Sequence, residues 1–269
     1  MSTAREAAVR TLAACEKQGA WSDGYLKRTL RESGLDSRDA ALATRLCFGV
    51  LQNRLLLDWY LAQSCSTKLE KLDLNVLCIL RTAAYQLLFL DKIPPSAAVN
   101  EAVSLTKKYC RNPRAAGMVN AVLRAMLRCE QLPEPTGTDE LERLSIRYSH
   151  PRWLVEAFSE RLGLTETEAL LAADNAQPPT AAQVNICRAS AGETAARLEA
   201  EGVHMEPHPW LADCLELTGT GDLERLSAYR DGLFYVQDAA ARLAVTGLEL
   251  TPACGCWTAA PPPAASPSP

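Results

Sequence analysis

The sequence predicts a mainly α protein, a helical bundle over the first half followed by a small α+β domain. Three observations carry this. Apolar residues recur at helical spacing between residues 37 and 129, with no period-two alternation among them. A turn-rich stretch from Gln131 to Thr138 separates this region from the second half of the chain. In that second half, short apolar runs alternate with helical ones. The length agrees: 269 residues, 48% hydrophobic and 22% charged, suit a folded chain of one large domain or two small ones. No run of about eighteen uncharged apolar residues occurs, which excludes a transmembrane helix. The N-terminus is polar and charged, so no signal peptide and a cytoplasmic location are expected.

Taken in order, the first assigned helix starts near Ser37, whose hydroxyl can cap it, and runs to about Gln63. Leu42, Leu46, Val50 and Leu57 line its apolar stripe. A second spans about Leu74 to Leu90, with Leu77, Leu80, Ala84 and Leu88 spaced for burial and Pro94-Pro95 stopping any continuation. Ser96 caps a third, carrying Val99, Val103 and Thr106. Asn112-Pro113 opens a fourth with Met118, Val122, Ala125 and Cys129 on one face. Four or more such helices with short connections make an all-α domain.

The second half begins with a helix to about Leu162 and another that a Thr165…Glu168 capping box would start. A strand is predicted from Gln183 to Cys187, with Val184 and Ile186 on one face. A helix capped by Ser190…Glu193 then runs to about Glu201. Strands near Val203 to Glu206 and Cys214 to Leu217, a short helix from Leu223 to Tyr229 and a strand from Leu233 to Gln237 complete the order βαββαβ. That is the order of a ferredoxin-like or RNA-recognition-type sheet. The first strand lacks aromatics for base stacking, so both direct RNA contact and a spacer role stay open. The domain boundaries expected are 1–131, a linker at 132–140, 141–247, and a lead-in at 248–269.

Charge is distributed unevenly under a net of −4. Residues 1–131 hold 19 Lys and Arg against 12 Asp and Glu, a net of +7, while the remainder holds 9 against 20, a net of −11. Lys107, Lys108, Arg111, Arg114, Arg124 and Arg128 lie within 22 residues that contain no acid. Such a run creates a positive field that attracts phosphates, which points to RNA or DNA as a partner without naming a sequence. These six are the candidate RNA-binding residues.

The ten cysteines include no Cys-x-x-Cys pair, so a zinc knuckle or redox motif is not expected, and the thiols read as reduced and mostly buried. His204 and His208 have a helical metal-ligand spacing, but Pro207 and Pro209 would break that helix; a loop, and no metal, is expected.

The words Ile93-Pro-Pro-Ser-Ala-Ala-Val-Asn-Glu-Ala-Val103, then Lys107, then Gly117-Met-Val-Asn-Ala-Val-Leu-Arg124 resemble the NusB-like RNA-binding fold. Phe48 to Leu51 and Leu80 to Leu88 match its pattern in the same order. That fold occurs alone in transcription antitermination factors, which bind RNA with a small ribosomal protein. It also opens the RsmB/Sun (Fmu) 16S rRNA cytosine-C5 methyltransferases. Tyr148-Ser-His-Pro-Arg-Trp153, Asn175-Ala-Gln-Pro-Pro179 and Gly232-Leu-Phe-Tyr-Val-Gln-Asp-Ala-Ala-Ala241 resemble the linker and middle region of the latter, which free-standing antiterminators lack.

The resemblance implies a Rossmann-like domain next, entered through a glycine-rich turn that binds S-adenosylmethionine. This chain instead reads Pro252-Ala-Cys-Gly-Cys-Trp-Thr-Ala-Ala-Pro-Pro-Pro-Ala-Ala-Ser-Pro-Ser-Pro269. Codons for Ala253 onward, read from their third base, permit Val-Arg-Val-Leu-Asp-Gly-Cys-Ala-Ala-Pro-Gly-Gly-Lys-Ser-Phe-Ala, the family's cofactor motif. Cys256-Trp257-Thr258 force its Leu-Asp pair. A one-base frameshift just after Pro252 is therefore expected, with 253–269 out of frame and disordered. Resequencing the gene tests it.

The resemblance also implies a cysteine thiolate that attacks C6 of the target cytosine, activating C5 toward methylation, and a second cysteine that aids product release. Both would lie beyond residue 269, so none of the cysteines present, Cys254 and Cys256 included, is assigned to catalysis. S-adenosylmethionine is the full-length family's cofactor and none is expected for this chain. The expected function is RNA binding, to 16S rRNA or a small-subunit assembly intermediate, within an S-adenosylmethionine-dependent methyltransferase. An antiterminator-like or ribosome-assembly factor without enzymatic activity is the alternative, and the product of a damaged gene a third. Leu243, Val245, Leu248 and Leu250 are expected to be partly exposed.

Overall fold

A computed structural model describes residues 3–129, 133–176, 179–221 and 223–247. Its chain forms two compact units, Met1–Ala176 and Gln177–Pro269. The frameshift and tail readings, and Leu248 and Leu250, lie outside the described residues.

The first unit is all helical: α1 (Ala4–Gln18), α2 (Ser22–Ser33), α3 (Ser37–Gln52), α4 (Arg54–Ser64), a 3-10 turn (Leu69–Lys71), α5 (Leu74–Phe89), α6 (Pro95–Tyr109), α7 (Ala115–Arg128), α8 (Glu140–Tyr148), α9 (Arg152–Leu162) and α10 (Leu164–Asp174). α5 is its axis. Its residues Val76 and Cys78 through Gln86 are all buried, because α1, α3, α4, α6 and α7 pack around it. A helix apolar on nearly every side is stable only when enclosed in this way. Where α3 crosses α5 there is no room for a side chain: a Cβ on Gly49 would lie 2.1 Å from Cζ of Tyr85. Arg81, mostly buried on α5, is held by Asp58 through two bonds of 2.7 Å and by Glu16 at 3.0 Å. This satisfies a charge that would otherwise be costly to bury.

Several expectations change here. The helix expected over 37–63 is two, because Asn53 ends α3 with its side chain donating to the Gly49 carbonyl and then precedes α4. Ser96 does not cap α6; Pro94 occupies that place and Pro95 the first helical position, where its missing N–H costs nothing. Helices α1 and α2 were not assigned from the sequence, although Thr3 caps α1 and left-handed Gly19 and Gly34 terminate the pair. Nor was α8, capped by Asp139 inside the stretch read as linker. Thr165 does not start α10, which begins after Gly163; Glu168 instead accepts from the Tyr148 hydroxyl.

The second unit contains β1 (Thr180–Val184), α11 (Ala191–Ala200), β2 (His204–Pro207), β3 (Cys214–Thr218), a 3-10 turn (Leu223–Arg225), α12 (Ser227–Arg230), β4 (Phe234–Val236) and α13 (Ala239–Thr246). The sheet order is β2-β3-β1-β4, every neighbour antiparallel, as a ferredoxin-like βαββαβ chain requires. Ala182, Val184, Leu215, Leu217 and Phe234 form its core with Leu198 of α11 and Ala228 of α12. The Ser190–Glu193 capping box forms as the sequence indicated.

β1 starts and ends three residues earlier than expected. The Arg188 and Ala189 N–H groups fold back onto the Asn185 carbonyl, ending the strand and leaving Ile186 exposed. The expected helix over 223–229 is a 3-10 turn followed by a single α turn. His204 opens strand β2, as the strand expected near Val203 to Glu206 has it, and not the loop suggested by its spacing to His208. Among the eight described cysteines only Cys47, Cys78 and Cys214 are buried, so the thiols are not mostly buried. Leu243 is exposed and Val245 half-buried.

Candidate nucleic-acid interface

The acid-free run folds into the α6–α7 hairpin. α6 ends at Tyr109 with Cys110 as its C-cap, and the Asn112 side-chain oxygen accepts from the Arg114 N–H at 3.0 Å, tightening the turn into α7. Val119, Val122, Leu123 and Met126 turn inward. Their spacing leaves Arg124 and Arg128 on the outer side, and Lys107, Lys108, Arg111 and Arg114 are exposed as well.

The six are not equivalent. Lys108 donates to both carboxylate oxygens of Glu6 on α1, at 2.8 and 2.9 Å. The Tyr109 hydroxyl donates to the same carboxylate. Burial pulls the Glu6 carboxyl up, but the bonds from Lys108 and Tyr109 outweigh it and hold it below its ordinary range. Burial first, and then this carboxylate, push the Tyr109 hydroxyl up to about 12. Lys108 thus has a counter-charge that local sequence could not show, since Glu6 lies 102 positions away. Arg124 donates to Asn120 one turn back. Lys107, Arg111, Arg114 and Arg128 make no ion pair or side-chain hydrogen bond among the described residues.

One cation was missed. Lys71, at the end of the 3-10 turn before α5, lines a cleft of about 620 Å³ together with Arg111 and Arg114. No sequence spacing links it to them; the packing of α5 against α6 and α7 does. The one acid in this cleft, Asp73, caps α5 by accepting from the Asn75 and Val76 N–H groups.

Among the described residues no three His, Cys, Asp or Glu side chains are grouped to hold a metal ion. Nor is any helix there long and apolar enough to cross a membrane. Every hydrogen-bonded pair of the described strands is antiparallel.

The fold and the cationic hairpin define a class: a NusB-type helical domain followed by a ferredoxin-like domain. Residues 2–128 match the NusB family and residues 150–224 the Methyltr_RsmF/B-like, ferredoxin-like domain. The chain thus carries a NusB domain and an RsmF/B-like ferredoxin domain, and it has relatives named ribosomal RNA small subunit methyltransferase B. It is 33% identical over 249 residues to ribosomal RNA small subunit methyltransferase B of Pseudomonas putida (strain KT2440), covering 92% of this chain and 55% of that protein. It is 30% identical to the corresponding "Probable" enzyme of Bacillus subtilis (strain 168), with the same coverage. The crystal structure of PH0851 superposes with a TM-score of 0.65 at 21% identity over 93% of this chain and 56% of that one, which is a likeness of fold. The chain spans about half the length of the curated relatives it matches.

Proposed function

We propose that these residues form the RNA-binding part of a 16S rRNA cytosine-C5 methyltransferase that uses S-adenosylmethionine and works in the cytoplasm. The observation that carries the reading is the cationic α6–α7 hairpin, most of whose side chains have no internal partner, in a chain with this domain pair. Unpaired Lys and Arg on a rigid helical hairpin gain most by replacing the counterions of a phosphate backbone. Lys107, Arg111, Arg114, Arg124 and Arg128 contact RNA directly. Lys108 contributes mainly by fixing α6 to α1. The accompanying ferredoxin-like domain favours the methyltransferase reading over an antiterminator acting alone. Methyl transfer and the catalytic thiols are assigned to the longer protein.

Titration of the chain with purified 16S rRNA over a range of salt concentrations tests RNA binding. Affinity is expected to fall log-linearly with salt, and absence of binding at low salt would overturn the reading. For the longer protein, bisulfite sequencing of 16S rRNA after gene disruption is expected to show the loss of a methylated cytosine. An unchanged methylation pattern would contradict the assigned reaction.

A further inference from the structure

We infer that the cleft between the 3-10 turn, α5 and the α6–α7 turn seats an unpaired nucleotide of single-stranded RNA, with Lys71 a phosphate-binding residue of that site. The inference rests on the RNA-binding reading and deepens it. Three cations, Lys71, Arg111 and Arg114, come to one cleft from two separate parts of the chain. The single acid there is engaged by backbone N–H groups of α5. Val76, Tyr109 and Met118 line the same cleft and add apolar surface to it. Tyr109 is held in place by its bond to Glu6, so that wall is fixed before any ligand arrives. The Asn75 side-chain amide, without a partner among the described residues, also lines the cleft and can read a base edge.

Cations and apolar side chains lining one cleft match the chemistry of an unpaired nucleotide, which offers phosphates together with a free base face. A duplex offers phosphates but keeps its bases stacked inside, so it can use the outer cations and not the cleft's apolar lining. The volume of about 620 Å³ falls in the range of small-ligand sites and admits a base with its sugar.

The test compares the full chain with its Lys71→Ala and Lys107→Ala variants. Each is titrated with a short mixed-sequence oligoribonucleotide, alone and annealed to its complement. Lys71→Ala is expected to weaken single-strand binding by about threefold or more and to make the salt slope shallower by about 0.7. Its duplex binding is expected to stay at the parent level, whereas Lys107→Ala weakens both. Single strands carrying 4-thiouridine are expected to crosslink to peptides containing Tyr109 to Met118 or Lys71 to Val76. Equal losses for single strand and duplex in Lys71→Ala, no loss in either, or crosslinks confined to other peptides would overturn the cleft assignment and leave RNA binding intact. Loss of all RNA binding by the parent chain would instead overturn the reading beneath it. Unchanged melting temperatures confirm that both variants are folded.

Discussion

The Glu6–Lys108–Tyr109 cluster shows what side-chain partners do to a charge pattern read from sequence. Six cations in an acid-free run look alike on paper, yet Lys108 is committed to a carboxylate from α1. Its predicted role is therefore stability first. Because Glu6 titrates below its ordinary value of 4.5 in the fold, its stabilising contribution is complete above that value. It is lost as the pH falls through the lower, folded value. Glu6→Gln should melt at a lower temperature than the parent near neutral pH, and the gap should close under acid conditions. Melting curves across pH check this; a gap independent of pH would contradict it. Thiol reactivity offers a second check at this scale. Burial, reinforced by nearby thiols at Cys47 and outweighing Arg81 at Cys78, pushes both thiols up to about 12. Cys129 and Cys187 are exposed. An aromatic disulfide reagent should modify Cys129 and Cys187 in the native chain and spare Cys47 and Cys78 until it unfolds, as peptide mapping would show.

Among the elements, α5 was the most legible, because its apolar residues are dense and Pro94-Pro95 follow it. The elements that sequence reading missed or misplaced are those decided by one residue. Asn53 breaks a continuous apolar stripe by bonding back to Gly49, and periodicity cannot register a single backbone excursion. Half of the residues that α1 buries are alanines, a weak apolar signal that joins a core where α3 and α5 approach closely. Ala182 carries the start of β1 for the same reason, while Ile186, the stronger apolar signal, lies outside the strand. The glycine at the α3–α5 crossing is the sharpest case. Gly49→Ala is predicted to cost about 3 kcal/mol through overpacking against Tyr85, a fall of about 10 °C in Tm. Adding Tyr85→Leu should recover part of that loss. A Gly49→Ala protein as stable as the parent would remove the crossing argument. In the second unit, Ser190→Ala should cost about 1 kcal/mol by undoing the capping box, measurable by urea unfolding.

At the scale of the whole molecule, the sequence indicated both folds and the hairpin that carries the cations, because hydrophobic period and an acid-free run are local properties. It could not indicate Lys71, which joins Arg111 and Arg114 only through helix packing, or the neutralisation of Lys108 by Glu6. The net charge of −4 likewise conceals a basic first half, and electrostatic recognition depends on where charge lies more than on its sum. The central claim is that the four α6–α7 hairpin cations with no described partner bind RNA phosphates. It is tested most directly by replacing Lys107, Arg111, Arg114 and Arg128 together with alanine and measuring RNA affinity against salt. If each neutralises one phosphate of a single strand, the slope of log affinity against log salt should become shallower by about 3, with melting temperature unchanged. A folded variant with the parent's affinity and salt slope would contradict the account.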